Sequence, residues 1–229
     1  MEYPHNRPYT ADDLVRIITL LRDPVSGCPW DKVQTHTSIR MNFLEEAYEA
    51  VDALDLDDPV LMCEELGDVL MQVAFHTCME QETGRFTWEQ VCDGVCQKLI
   101  ERHPNIFGTQ PGYEGITDWD ALKNKEKGRR TLADDLESVP RAMPALMRAA
   151  KLQKRAARHG AALQGADAAA LADAVENLQT AQPASAQAEQ AVGELLFAAA
   201  NLARQAGVDP EQALQKANEA FCTAAGPVA

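Results

Sequence analysis

Leu44-Glu-Glu-Ala-Tyr-Glu49 and Glu64-Glu-Leu-Gly-Asp68 stand on either side of Asp55-Leu-Asp-Asp-Pro59. Within each acidic group, positions three apart share a helix face, so Glu46 goes with Glu49 and Glu65 with Asp68. Pro59 disfavours helix at Asp58, so the two segments read as separate helices joined by a turn. Residue 57 is the midpoint of Glu49 and Glu65, and also of Glu46 and Asp68. An antiparallel hairpin turning there sets Glu49 level with Glu65 and Glu46 level with Asp68. Four carboxylates then meet between two helices.

Such a gathering is unfavourable on its own. Like charges one turn apart destabilise a helix by a few tenths of a kcal/mol per pair, on the order of 0.2–0.5. In a partly buried seam they cost more or take up protons. A hard divalent cation reverses the sign. Mg2+ takes oxygen ligands and keeps several waters, which leaves room for phosphate oxygens. Ca2+ suits the same ligands, but there is no EF-hand loop. Glu64-Glu-Leu-Gly67 also matches a fragment of the Nudix motif; the preceding Arg-Glu is missing, and no strands flank it. That reading is rejected.

The hairpin expectation extends outward into an all-α chain. Thr10-Ala-Asp-Asp13 opens a helix as a capping box, with Leu14, Ile17, Ile18 and Leu21 as its apolar face. The breaker-rich loop Gly27-Cys-Pro-Trp-Asp-Lys32 follows. The two acid-bearing helices are expected from Thr37 or Ser38 to Leu54 and from Val60 to Glu82. A third helix spans Thr87 to Arg102, and a short charged one lies near Asp118 to Arg130. Phe43, Leu44, Ala47, Val51 and Leu54 form an apolar stripe beside the first acids; Leu66, Val69, Leu70, Val73 and Phe75 do so beside the second. Gly67, mid-helix, costs roughly 1 kcal/mol relative to Ala, which the close approach of another helix or of a ligand would explain. Strand-like alternation is missing throughout.

Composition narrows the function. The 229 residues are 46% hydrophobic, enough for a sizeable core. The net charge of −14 all lies in residues 1–140; residues 141–229 carry eight acids and eight bases. A nonspecific nucleic-acid binder needs a basic footprint, so none is expected, and the acidic half suits cation binding. No apolar run approaches the roughly 20 residues of a membrane span. The start of the chain lacks a signal pattern, so the location is expected to be cytoplasmic and the six cysteines buried free thiols.

The second half echoes the first. Leu14-x-Arg16 returns as Leu146-x-Arg148, and Leu66-Gly-Asp-Val-Leu70 as Val192-Gly-Glu-Leu-Leu196. Gly84 followed by Glu89-Gln90 returns as Gly207 followed by Glu211-Gln212. Three matches in one order predict a duplicated helical domain. Phosphate-binding candidates are Lys98 with Arg102 at one helix end and Lys123 with Lys127 on the later helix. Trp30 and Trp119 are candidates for stacking on a base.

Taken in order, Gly27-Cys-Pro-Trp-Asp31, Leu44-Glu-Glu-x-x-Glu49, Glu64-Glu-Leu-Gly-Asp68, Gly84-Arg-Phe86, Arg102-His-Pro104 and Trp119-x-x-x-Lys123 resemble the MazG family of all-α nucleoside triphosphate pyrophosphohydrolases. The resemblance covers most of residues 10–130. It implies tandem MazG-like bundles in an intertwined homodimer: a catalytic domain 1–130, a linker 131–140, and a degenerate, truncated domain 141–229. It implies Mg2+ on Glu46, Glu49, Glu65 and Asp68, with Glu45 and Glu64 as auxiliary acids. Lys98 and Arg102 are implied as phosphate contacts, Trp119 as a nucleotide contact, and Lys123 beside it. The implied reaction is hydrolysis of nucleoside triphosphates to monophosphate and pyrophosphate. A metal-positioned water attacks in line, and Glu45 or Glu49 orients or deprotonates it.

The second half departs from the pattern. Val175-Glu176-Asn-Leu-Gln179 and Gln190-Ala-Val-Gly-Glu194 keep one acid each, so this domain is expected to bind metal poorly and be inactive. Two other functions fit the residues. One is a narrower hydrolase for a deoxy or damaged nucleotide, with selectivity in loops 27–40 and 104–117. The other is a non-catalytic helical regulator that binds a nucleotide or a protein.

Overall fold

The computed structural model describes residues 3–5, 7–104, 106–108, 122, 124 and 126–226. The described residues are helical with short connections, and no strand occurs among them, as expected of an all-α chain. The helices are α1 (Ala11–Leu21), α2 (His36–Asp55), α3 (Pro59–Glu82), α4 (Trp88–Arg102), α5 (Leu132–Glu137), α6 (Ala145–Arg158), α7 (Ala168–Thr180), α8 (Ala186–Gln205) and α9 (Pro210–Ala225). They fall into two compact units, Met1–Ile116 and Thr117–Ala229.

Local chemistry sets the helix starts. Thr10 and Asp13 form the expected reciprocal capping box. α2 begins at His36, ahead of the expected Thr37 or Ser38. Thr35 caps it by accepting from the Ser38 N–H, and Ser38 returns a bond to the Thr35 N–H. The reversal into α3 falls at residue 57. Asp57 adopts a left-handed φ of 53°, and Asp58 then caps α3 by accepting from Val60 and Leu61. Pro59 takes the first helical position, where its missing N–H costs nothing.

In the first unit α1, α2 and α4 all pack on α3. The core is Ile18, Ile39, Ala74, Phe75, Cys78, Met79 and Trp88, lying toward the C-terminal half of α3. Near the turn the seam between α2 and α3 is built from small residues, with Ala50 and Ala53 buried. This corrects the expected stripe. Val51 is 49% exposed, Leu54 54% and Leu66 52%, so these side chains lie outside the seam. A Cβ on Gly67 would meet nothing within 4 Å, so no helix among the described residues presses on it.

Arg22 ties the breaker-rich loop to the bundle. Its Nε and Nη2 donate to both Glu82 carboxylate oxygens at 2.6 and 2.8 Å, and its Nη1 donates to the carbonyls of Asp31 and Gln34. The guanidinium also lies over the Phe75 ring.

The second unit is an Ala-rich bundle in which α7 and α6 pack on α8, and α9 on both α6 and α8. Ala174, Ala191, Ala198 and Ala200 are buried where helices approach closely. Residues 131–140 are not a bare linker. They contain α5, whose Asp135 is 1% exposed and pairs with Arg155, Arg158 and His159 of the α6 end. Burial pushes the Asp135 carboxyl up. Hydrogen bonds from Asn124 and His159, with the two arginines, outweigh it and hold it below the usual range. Of the cysteines, Cys78 is buried, while Cys63, Cys96 and Cys222 are exposed; all six are free thiols. No helix among the described residues is long and apolar enough to cross a membrane.

Candidate metal and nucleotide site

The α2–α3 hairpin brings acids from both arms together. Glu46, Glu49 and Glu65 each offer a carboxylate oxygen, and these oxygens lie within 4.8 Å of one another. Asp68 sits beside them, close enough for its charge to act on both Glu46 and Glu65. Glu46, Glu65 and Asp68 are half-buried, and Glu49 is exposed. The neighbours Glu45 and Glu64 are exposed at the edge, and Glu64 adds its charge to the field at Glu65.

The electrostatics are those of a cradle short of positive charge. Desolvation pushes the Glu46 carboxyl up, and the charges of Asp68 and Glu49 push it further; a hydrogen bond from Gln72 acts the other way. Glu65 is raised by desolvation and by Glu49, Glu64, Asp68 and Glu46. Burial and neighbouring acids lead the influences on both carboxyls. The donor set is all oxygen, anionic and on rigid helices, and it fits a hard divalent cation.

Gln72, absent from the sequence reading, completes this face. It is 7% exposed and donates its Nε2–H to Glu46 Oε1 at 3.4 Å. Its signal was its place one turn after Asp68 on the same helix face.

Further along the same two helices lies a second group the sequence reading missed. His36 Nδ1 and His76 Nδ1 are 2.7 Å apart, with the rings stacked. His36 Nε2 meets Glu80 Oε1 at 2.5 Å, and Arg85 grips the same carboxylate. Burial, with His36 beside it, holds His76 below the usual imidazole range. Together with Phe43 and Phe86 these residues line a cavity of about 620 Å3. Phe43 precedes Glu46 by three residues, so the cavity opens about one helical turn, roughly 5 Å, beyond the acids.

The remaining candidates lie elsewhere. Lys98 is exposed and Arg102 half-buried near the end of α4. Trp30, 57% exposed, immediately precedes a single 3-10 turn (Asp31–Val33) in the Arg22-anchored loop. Trp119 and Lys123 fall outside the described residues, as does most of the expected helix near 118–130.

The second unit carries a reduced copy of the hairpin. Ala184 at its turn has φ 56°, matching Asp57. A cavity between α7 and α8 is lined by Asp173, Asn177, Gly193, Glu194 and Phe197. Asp173 and Glu194 line this cavity together, while Glu176, exposed like Asp173, is not in its wall. The α7 frame is shifted by one turn from the register expected. Among the described residues, Glu46, Glu49 and Glu65 are the one group of three acid, His or Cys side chains spaced to hold an ion.

Known proteins resemble this chain along most of its length. The profile of the MazG nucleotide pyrophosphohydrolase domain matches residues 34–107, the span of the hairpin and α4. A nucleoside triphosphate pyrophosphohydrolase of Escherichia coli K12 is 41% identical over 221 residues, covering 92% of this chain and 83% of that protein. The nucleoside triphosphate pyrophosphohydrolase/pyrophosphatase MazG of Thermotoga maritima is 39% identical over 212 residues, covering 92% and 82%. A nucleoside triphosphate pyrophosphohydrolase of Mycobacterium tuberculosis is 34% identical over 154 residues, covering 66% and 46%.

Proposed function

The chain belongs to the MazG nucleotide pyrophosphohydrolase family, and on that premise we propose that it hydrolyses nucleoside triphosphates to the monophosphate and pyrophosphate at the first-unit hairpin. The observation that carries this reading is the convergence of Glu46, Glu49 and Glu65 from two helices within 4.8 Å. Glu46, Glu49, Glu65 and Asp68 would hold Mg2+. When bound, the ion neutralises phosphate charge and polarises the scissile phosphoryl group.

The chain's own groups supply the rest. Glu45, at the exposed edge next to Glu46, or Glu49 within the cluster, accepts the proton of the attacking water. Gln72 orients Glu46 through its amide. The cavity of Phe43, His36, His76 and Phe86 receives the nucleoside end, its rings offering stacking faces and its imidazoles hydrogen-bonding edges. Lys98 and Arg102 neutralise the distal phosphates, and Trp30 stands in the anchored loop.

We place the enzyme in the cytoplasm, where its substrates and free thiols belong. It acts as a homodimer. Met41, Tyr48, Val51, Leu66 and Leu70 expose apolar surface on α2 and α3, and open space at Gly67 admits a partner helix. The first unit does the chemistry; the second, where no three acids among the described residues are spaced to hold an ion, does not.

The test is pyrophosphate release from a panel of ribo- and deoxynucleoside triphosphates, with Mg2+ and with chelator. Metal-dependent release of one pyrophosphate per monophosphate is expected. Nucleotide binding without release supports the regulator reading instead.

A further inference from the structure

The second unit holds a basic cavity that plays no part in the hydrolytic site. It measures about 540 Å3, within the range of small-molecule sites. Its walls include Met143, Met147, Lys151, Lys154, Arg204 and Asp209. α6 contributes five cations and no carboxylate: Arg148, Lys151, Lys154, Arg155 and Arg158. Arg155 and Arg158 are committed to Asp135. Lys151 and Lys154 have no carboxylate partner among the described residues. Arg204 donates through Nε and Nη2 to the neutral Asn201 Oδ1 at 3.0 and 2.8 Å. Asp209 Oδ1 is held by the Glu211 and Gln212 backbone as the cap of α9, and its charge offsets part of this basic surface.

Three cations thus converge on one concave surface of a chain whose net charge is −14, against the single wall acid Asp209 and Glu211, whose Oε2 accepts from the Met147 N–H at 3.3 Å. Cations so arranged repel one another, and a bound anion relieves this. The rest of the wall is apolar and polarisable. Met143 and Met147 are unbranched thioethers suited to contact with a flat aromatic ring.

We propose that this cavity is a second, non-hydrolytic nucleotide site, with phosphates on Lys151, Lys154 and Arg204 and the base against Met143 and Met147. Asp209 and Glu211 beside it complete no three-acid ion site among the described residues, so the phosphates are met by the cations themselves. The proposal is independent of the activity assigned to the first unit.

The test uses the full chain carrying Glu46→Ala and Asp68→Ala, which removes the first site's ion. Calorimetric titration with a non-hydrolysable nucleoside triphosphate analogue in the presence of chelator is expected to give one site per chain. Lys151→Glu with Lys154→Glu is expected to weaken it at least tenfold, and Lys151→Gln with Lys154→Gln to weaken it less; circular dichroism checks that each remains folded. Lys98→Ala in the same background leaves the affinity unchanged. Pyrophosphate titrated alone is expected to bind more weakly than the analogue. No metal-independent binding, or binding indifferent to the Lys151 and Lys154 charge reversals, overturns the site. Equal affinity for pyrophosphate overturns its assignment to a nucleotide.

Discussion

Gln72 Nε2 donates to Glu46 Oε1 across 3.4 Å, joining α3 to α2 at the level of the acid cluster. The bond comes from a nearly buried amide on one helix to a half-buried carboxylate on the other. It favours the charged form of Glu46 against desolvation and its anionic neighbours. Replacing Gln72 by Leu removes this support. The expected outcome is an Mg2+ requirement raised by roughly tenfold, the low end for loss of a partner behind a ligand. Titration of pyrophosphate release against Mg2+ measures it.

The raised carboxyls of Glu46 and Glu65 also set a pH dependence of the metal-free protein. A carboxyl whose folded value exceeds its ordinary 4.5 binds its proton more tightly in the native state. The resulting stability is present below 4.5 and is lost as pH rises through the folded value. Glu46→Gln is therefore expected to melt higher than the parent near neutral pH in chelator, with the gap closing under acid. Adding Mg2+ reverses the order. Saturation at 100 times Kd stabilises the parent by about 2.7 kcal/mol, and the variant gains less. Calorimetric scans with and without the ion check both signs.

The two hairpins separate by function under substitution. Glu49→Ala and Asp68→Ala are each expected to lower kcat by roughly 100-fold, the equivalent of about 3 kcal/mol of lost charge stabilisation. Asp173→Ala and Glu194→Ala leave kcat unchanged. An equal loss in both pairs moves the chemistry out of the first hairpin.

The two turns differ in strain. Ala184 and Asp57 both hold left-handed φ values, 56° and 53°. That region costs an L-residue with a Cβ roughly 1–2 kcal/mol, less for Asp, whose side chain bonds locally. Ala184→Gly is expected to stabilise the second unit by about 1 kcal/mol, and Asp57→Gly the first by less. Denaturant midpoints at constant slope measure both.

Arg22 anchors the loop that carries Trp30. Arg22→Ala strips two hydrogen bonds from Glu82 and leaves the Asp31 and Gln34 carbonyls unpartnered. A loss of about 2–3 kcal/mol follows from the charged bonds alone, read as a lower melting temperature.

Much of the hairpin is local information. The spacing of Glu46, Glu49, Glu65 and Asp68, the capping Thr10, and Pro59 behind Asp58 act within one or two helical turns. Helix period and cap chemistry are properties of adjacent residues, so helices, turn and acid pairing were legible before any contact was known. The α5 helix at Leu132–Glu137 was less visible. Its worth lies in burying Asp135 against three basic groups of the α6 end, and only packing reveals that.

By itself, then, the order of residues determined that this protein is helical, that its chain doubles back at Asp57, and that carboxylates from both arms meet. Tertiary structure alone decided what stands around them. It set Ala50 and Ala53 in the seam rather than Val51 and Leu54, Gln72 on Glu46, His36 against His76, and Asp173 in one cavity wall with Glu194. The physical reason is rotational phase. A helix fixes which of its residues share a face, but the orientation of that face follows from packing against neighbours distant in sequence.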